Sequence, residues 1–155
     1  MNKTNAIRIL EQAGVSFNVV EYDAEGSFIS AVDSARKAGE NVEQVYKTIA
    51  FKNASNELFI FVLESEMEVS LKKARALSGC DIEPVRQQDL KGLTGYERGC
   101  CSPLGLKKAA TIFIDELALL EPVIYVSCGA KGMNVGISPE DLCKVSGALF
   151  ADFAS

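Results

Sequence analysis

The sequence predicts a single α+β domain with a mixed sheet. Three observations support this class. Strand-like segments outnumber helical ones, the helical segments are scattered among the strands, and no stretch of the 155 residues has the composition of a linker. The chain is 48% hydrophobic and 24% charged, which leaves ample material for a core. We therefore treat residues 1–155 as one domain.

The first quarter of the chain predicts a helix, a strand and a second helix. Thr4 can cap a helix that Gly14 would end, because a hydroxyl at the N-cap and a glycine after the last turn satisfy the free backbone groups. Residues 15–22 alternate apolar and polar side chains, as a strand does. Ser30 can cap a second helix that runs to Gly39.

The next segment predicts a β-hairpin followed by a helix. Residues 43–51 are dense in Tyr, Thr, Ile and Phe, and the polar turn 52–57 separates them from a second strand at 58–65. The second strand is apolar on both faces, so we place it in the centre of a sheet. Ser70 then caps a helix that ends at Gly79.

The second half of the chain predicts shorter elements around a glycine-rich loop. In order, they are an extended segment at 80–85, a helical turn at 87–95, a long structured loop at 95–108, strands at 111–116 and 123–129, and a hairpin partner for the latter at 132–138. A helix follows, with Ser138 as its cap, Pro139 in its first turn and Gly147 after its end.

Composition excludes several classes of function. The chain has no histidine, which excludes Ser–His–Asp and Cys–His nucleophile systems, and its five cysteines contain no CxxC pair for a metal. We expect free thiols, no metal and no cofactor. The net charge of −5 argues against nonspecific duplex binding and sequence-specific DNA binding. No apolar run reaches the ~18–20 residues of a membrane span and no signal peptide is apparent, so we expect a cytoplasmic protein.

Lys47 is the first candidate functional residue. Strand alternation places it on the same face as Val45, Ile49 and Phe51, which is an apolar face. It is either an edge lysine whose stem lies on apolar surface while its ammonium reaches solvent, or a lysine that enters a pocket. In a pocket it could bind a phosphate, a carboxylate or a developing oxyanion.

Two glycine-rich segments are further candidates. The loop GYERGCCSPLG, residues 95–105, is either a turn-rich connection or a lip of backbone N–H groups around a carbonyl or phosphate. The segment SCGAKGMNVGIS, residues 127–138, is either a plain hairpin or the opposite wall of the same pocket. Tyr22 and Phe28 are either core residues or a platform for a base or ribose.

Three motifs in this order resemble the YbaK/EbsC family of prolyl-tRNA-synthetase-associated, ProX-like editing domains. They are QVYKT at 44–48, GYERGCCSPLG at 95–105 and IYVSCGAKG at 124–132, and FADFA at 150–154 looks like the C-terminal end of the family. The resemblance extends over nearly the whole chain. It implies a compact domain around a mixed, barrel-like sheet with surrounding helices. It also implies trans-editing, the removal of a mischarged amino acid from the 3′ end of a tRNA, typically tRNA(Pro).

The resemblance also implies roles for individual residues. Lys47 would enter the pocket and contact the terminal adenosine or the substrate, and backbone N–H groups from Gly99 to Ser102 would steady the developing oxyanion. Substrate binding is expected of Tyr22, Phe28, Tyr46, Cys100, Cys101, Gly129 and Asn134. In the YbaK branch the substrate's own cysteine thiol attacks the ester of Cys-tRNA(Pro). That route needs no side-chain nucleophile and suits a chain without histidine.

Two departures from the YbaK pattern leave the substrate open. Cys100–Cys101 replaces the Gly and aliphatic residue common there, and Asn134 replaces an Asp. Ala-tRNA(Pro), the substrate of the ProX branch, is therefore an alternative, although that branch commonly has a histidine in the facing turn. A non-catalytic module that binds a tRNA end or a nucleotide is the alternative from another class. The expected partners are the acceptor end of an aminoacyl-tRNA and prolyl-tRNA synthetase, with no membrane.

Overall fold

The structure, a computed structural model, describes residues 3–21 and 42–155. The predicted helix from Ser30 to Gly39 lies outside these residues. The described helices are α1 Asn5–Ala13, α2 Leu71–Ser78, α3 Gln87–Thr94 and α4 Pro139–Ser146, with 3₁₀ turns at Val42–Gln44 and Glu116–Leu120. The described strands are β1 Phe17–Glu21, β2 Tyr46–Lys52, β3 Leu58–Glu64, β4 Glu83–Pro84, β5 Ala110–Asp115, β6 Ile124–Ser127, β7 Met133–Ile137 and β8 Leu149–Ala151.

The described strands form two sheets. One is antiparallel in the order β1-β7-β6, and the other is mixed in the order β4-β2-β3-β5-β8. β2 and β3 form the predicted hairpin, β3 is central as predicted, and it pairs with β5 in parallel. The α+β class with a mixed sheet is therefore confirmed.

The described strands do not close into a barrel, which corrects the barrel-like expectation. A single parallel bridge between Val45 and Tyr125 joins the two sheets. Further along β2, the same edge pairs with β4 at Phe51 and Lys52 instead. At the other end of the mixed sheet, β5 is the one described strand that pairs with the three-residue strand β8. The link between the sheets therefore stays local.

The predicted helix caps are confirmed where the structure describes them. The hydroxyls of Thr4, Ser70 and Ser138 each accept a hydrogen bond from the backbone N–H three residues later, so each helix starts where the sequence predicts. A glycine with positive φ ends each of these helices. Strand β8 was not predicted.

The mixed sheet separates two apolar clusters. The larger cluster packs α1, α4 and the antiparallel sheet against one face, and it includes Leu10, Ile60 and Val135. The smaller one lies on the other face and contains Phe51, Phe61, Phe113 and Phe153, which we call the aromatic cluster. α2 and the C-terminal residues close this face through the buried side chains of Ala74 and Ala154.

Asp115 is a buried carboxylate at the end of β5, with 2% of its surface exposed. Its Oδ1 accepts a hydrogen bond of 3.2 Å from the N–H of Leu117, whereas Oδ2 has no hydrogen-bond partner among the described residues. Burial raises the pKa of this carboxyl above its usual value, with the nearby Asp152 and Glu116 adding to the effect. Folding therefore shifts this carboxyl toward its protonated form relative to the unfolded chain.

Asp115→Asn is expected to gain stability relative to the wild type as the pH rises. A raised folded-state pKa contributes stability that is complete below the unfolded pKa, about 3.9, and is lost as the pH rises through the folded pKa. Asparagine keeps the acceptor for Leu117 and does not titrate. In urea unfolding at pH 4 to 7, the free energy of unfolding of the variant should rise relative to that of the wild type as the pH increases. The exposed Glu140→Gln is the control. A difference in unfolding free energy that stays constant with pH would contradict a cost of ionising the buried Asp115.

Candidate functional site

Lys47 lies on β2 at the boundary between the two sheets. As predicted, it shares a strand face with Ile49 and Phe51. Its side chain is 21% exposed, and its ammonium lies 3.7 Å from Oε1 of Glu68. Its stem is therefore largely covered, while its charged end meets an acidic side chain.

A parallel bridge between the sheets brings the start of β2 to β6, the strand that ends at Ser127. The bridge between Val45 and Tyr125 is parallel, and β2 and β6 lie side by side there. Extended by two residues along each segment, this register would set Lys47 level with Ser127. Side chains separated by two residues return to the same face, so both are on one side of the sheet.

Asn134 extends this arrangement onto β7, where it pairs with Ser127. Directly opposed residues of an antiparallel pair share a face. We call Lys47, Ser127 and Asn134 the polar row. The intervening residues Tyr46 and Val126 belong to the larger core cluster, so the polar row lies on the face away from that core. Asn134 is nevertheless only 5% exposed, so neighbouring chain covers it.

The site loop, residues 95–105, is organised around Tyr96. The Tyr96 hydroxyl donates a hydrogen bond to the carbonyl of Leu104, and the N–H of Leu104 donates to Oγ of Ser102 at 3.2 Å. Burial raises the pKa of Tyr96 to about 12, so the phenol keeps the proton that it donates. Ser102 is fully buried. The loop is thus held by its own side chains.

The middle of the site loop carries a short run of backbone donors. Gly99 has a φ of 83°, a conformation that favours glycine. The N–H of Cys100 donates to the carbonyl of Glu97 at 3.0 Å, which closes a turn. The candidate donors for a ligand are therefore the N–H groups of Gly99, Cys101 and Ser102.

The facing turn, residues 127–132, holds the site loop against the polar row. Oγ of Ser127 donates to the carbonyl of Cys100 at 3.0 Å and accepts from the N–H of Gly129 at 3.3 Å. Gly129 has a φ of 95°, and a Cβ there would lie 2.8 Å from Cε1 of Tyr96. Loop and turn therefore meet through one hydroxyl bridge and one close ring contact.

Three thiols are buried where loop and turn meet, at Cys100, Cys101 and Cys128. Burial raises the pKa of Cys101 to about 12 and that of Cys128 to about 11. Burial also raises the pKa of Cys100, against the opposing effect of the nearby Lys131 ammonium. A thiol is nucleophilic only as the thiolate, so these cysteines are packing groups at neutral pH.

The structure brings the site loop, the facing turn and Asn134 together, and with them the predicted residues Gly99, Cys100, Cys101, Ser102 and Gly129. Lys47 lies on β2, which the bridge at Val45 joins to β6. Tyr46 is different, because its side chain is buried in the larger core cluster on the opposite face from Lys47. Tyr22 and Phe28 lie outside the described residues.

Sequence reasoning missed three residues of this site: Tyr96, Ser127 and Glu68. Tyr96 and Ser127 stand inside the glycine-rich motifs, where a hydroxyl among glycines could have marked a loop anchor. Glu68 carried no signal, because its contact with Lys47 depends on the fold.

The described residues include no group of three or more Asp, Glu or Cys side chains arranged to hold a metal ion. Among the same residues, no helix is both long and apolar enough to cross a membrane.

Comparison with known proteins shows which family the chain resembles. The model of the aminoacyl-tRNA editing domain family matches residues 28–145. A candidate Cys-tRNA(Pro)/Cys-tRNA(Cys) deacylase from Enterococcus faecalis, EbsC, is 31% identical over 99% of this chain and 94% of its own. A proline–tRNA ligase from Brachyspira hyodysenteriae is 36% identical over 44% of this chain and 12% of its own.

A solved structure gives the same result for the fold. The crystal structure of a candidate trans-editing enzyme for prolyl-tRNA synthetase matches with a TM-score of 0.86 and 25% identity, covering 100% of this chain and 99% of that one. The family match spans more than half of the chain, and the Enterococcus relative covers nearly all of it. The chain therefore belongs to the aminoacyl-tRNA editing domain family.

Proposed function

We propose that the chain is a trans-editing aminoacyl-tRNA deacylase that removes cysteine from Cys-tRNA(Pro). The observation that carries the proposal is the contact of the site loop with the facing turn at the end of β6, the strand that a bridge joins to the start of β2, the strand of Lys47. Membership of the editing family and the identity to EbsC support the activity and the substrate. Aminoacyl-tRNA is the proposed partner, bound by its acceptor end.

Each part of the site has a role in this proposal. Lys47 binds the acceptor end through its ammonium, which suits a phosphate oxygen. The N–H groups of Gly99, Cys101 and Ser102 face the ester and stabilise the oxyanion that develops on its carbonyl. Asn134 supplies a neutral amide next to Ser127, where it can bind the amino acid of the substrate.

The substrate itself supplies the nucleophile. The cysteine sulfur bonds to its own carbonyl carbon, the bond from that carbon to the 3′ oxygen breaks, and the proton of the thiol passes to the leaving 3′ hydroxyl. The cysteines of the site are buried with raised pKa values, so they do not compete for this step. The loop and turn need only position the ester.

Lys47→Ala is expected to lower kcat/KM on Cys-tRNA(Pro) by about 10- to 100-fold, the loss typical of one hydrogen bond to a charged group. The measurement is deacylation of Cys-, Ala-, Ser- and Pro-tRNA(Pro). Lys52→Ala is a matched control, because Lys52 is on the same strand, is also 21% exposed and pairs with an exposed Glu83 at 3.9 Å. Full activity of Lys47→Ala would show that Lys47 does not bind the substrate.

The same panel decides the substrate and the alternative functions. If the protein deacylates Ala- or Ser-tRNA(Pro) selectively, it is a deacylase with a substrate amino acid other than cysteine, as the departures at Cys100–Cys101 and Asn134 allow. Acceptor-end binding without turnover would make the protein a non-catalytic module. The match to a proline–tRNA ligase supports prolyl-tRNA synthetase as a second partner. The proposed location is the cytoplasm, because charged tRNA is used there.

A further inference from the structure

We propose that Glu68 is an exchangeable counter-ion of Lys47. Its carboxylate pairs with the lysine ammonium in the free protein, and a phosphate of the acceptor end displaces the carboxylate on binding. This inference rests on the proposed function, because it takes Lys47 as the residue that meets substrate. Glu68 is then a positioning residue that sets the affinity for the anionic part of the substrate. The contact that carries the inference is the 3.7 Å ion pair between the two side chains.

The two partners of this ion pair differ in how freely they move. The Lys47 side chain is 21% exposed, whereas that of Glu68 is 82% exposed. Glu68 can therefore leave the ammonium and point into water without losing any packing. Lys47 keeps its place on the strand, so the pair breaks by motion of the acidic partner alone.

The backbone of Glu68 is fixed even though its side chain is free. Its N–H donates to the carbonyl of Ser155 at 3.2 Å, and its carbonyl accepts from the N–H of Ser155 at 2.9 Å. Next to it, Val69 makes an antiparallel bridge with Ala154. The last residues of the chain thus hold Glu68 beside Lys47, and the carboxylate returns when a ligand leaves.

The exchange has a consequence for selectivity. A ligand must supply an anion to compensate Lys47 once Glu68 has moved away, so a phosphate displaces the carboxylate and a neutral group does not. Removing the carboxylate should therefore help anionic ligands and leave neutral ones unchanged. Exposed ion pairs are weak, so the expected change in affinity is about two- to fivefold.

The test compares the binding of adenosine 5′-monophosphate and of adenosine by calorimetry or NMR titration. Glu68→Gln should bind the monophosphate about two- to fivefold more tightly and adenosine unchanged. On Cys-tRNA(Pro) it should lower KM by a similar factor without raising kcat. Glu83→Gln is the matched control, because Glu83 is 69% exposed and pairs with Lys52. It should change neither quantity.

The double variant Lys47→Ala/Glu68→Gln separates this inference from the proposed function. In the Lys47→Ala background, Glu68→Gln should have no effect on binding of the monophosphate. An effect that persists there would come from general charge repulsion and would overturn the exchange. The exchange would also be overturned if Glu68→Gln bound the monophosphate no more tightly than the wild type, or if neither protein bound it. If instead Lys47→Ala binds the monophosphate normally, the proposed role of Lys47 fails.

Discussion

Gly129→Ala is expected to lower kcat/KM on the aminoacyl-tRNA by about 10²- to 10³-fold, the cost of losing one preorganised oxyanion donor. A Cβ at this position would lie 2.8 Å from Cε1 of Tyr96. Backbone and ring cannot both stay in place at that distance. Because the Tyr96 hydroxyl closes the site loop on the carbonyl of Leu104, moving the ring moves the N–H groups beside it.

The backbone of Gly129 adds a second effect, which the experiment must separate from the first. Its φ of 95° strains any residue with a side chain, at a cost of about 1–3 kcal/mol in stability. Gly147→Ala is the matched control, because Gly147 has a φ of 75° but no atom within 4 Å of an added Cβ, and it ends α4. It should lose stability and keep its activity.

Steady-state deacylation and urea unfolding of both variants make this comparison. Wild-type activity in Gly129→Ala would show that the contact with Tyr96 does not position the site loop. An equal loss of activity in both variants would assign the effect to stability alone.

Local chemistry explains why the sequence predicts the helix ends. An N-cap hydroxyl and a glycine after the last turn act within a few residues, so the pairs Thr4 with Gly14 and Ser138 with Gly147 can be identified without knowing the fold. The hairpin of β2 and β3 is equally local, since a short polar turn sets its register. The described elements governed by such rules agree with the prediction.

The order of the strands and the polar row depend on pairings between distant residues. The face of Lys47 follows from alternation along one strand, but the approach of β6 to β2 joins residues 80 positions apart through the bridge between Val45 and Tyr125. β8 is three residues long and half exposed, so nothing in its composition marks it as a strand. Resemblance to a family could name residues of the site, but it could not give their register.

Phe61→Ala is expected to have the largest effect on stability, a loss of about 3–5 kcal/mol. Phe61 is fully buried on the central strand β3. Its ring centroid lies 5.2 Å from that of Phe51, 5.4 Å from that of Phe113 and 5.0 Å from that of Phe153. Truncation removes these ring contacts and leaves a cavity between the mixed sheet and the elements packed on this face. Against a typical total of 5–15 kcal/mol, the variant would be close to unfolding.

Urea or thermal unfolding of Phe61→Ala, Phe61→Leu and Leu120→Ala tests this expectation. The leucine variant should lose less than the alanine variant, because it fills part of the space. Leu120 is 78% exposed, so its truncation should change stability by no more than about 0.5 kcal/mol. A loss below about 1 kcal/mol in Phe61→Ala would mean that neighbouring rings refill the space.

The effect of Phe61→Ala should also reach the site, through Phe153. Phe153 packs on Phe61, and its carbonyl accepts a hydrogen bond of 2.7 Å from the N–H of Ser70. Two residues further on, Ser155 holds the backbone of Glu68 beside Lys47. Under conditions where Phe61→Ala remains folded, we therefore expect the affinity for adenosine 5′-monophosphate to rise toward that of Glu68→Gln. An unchanged affinity would show that the C-terminal residues keep their place without the ring of Phe61.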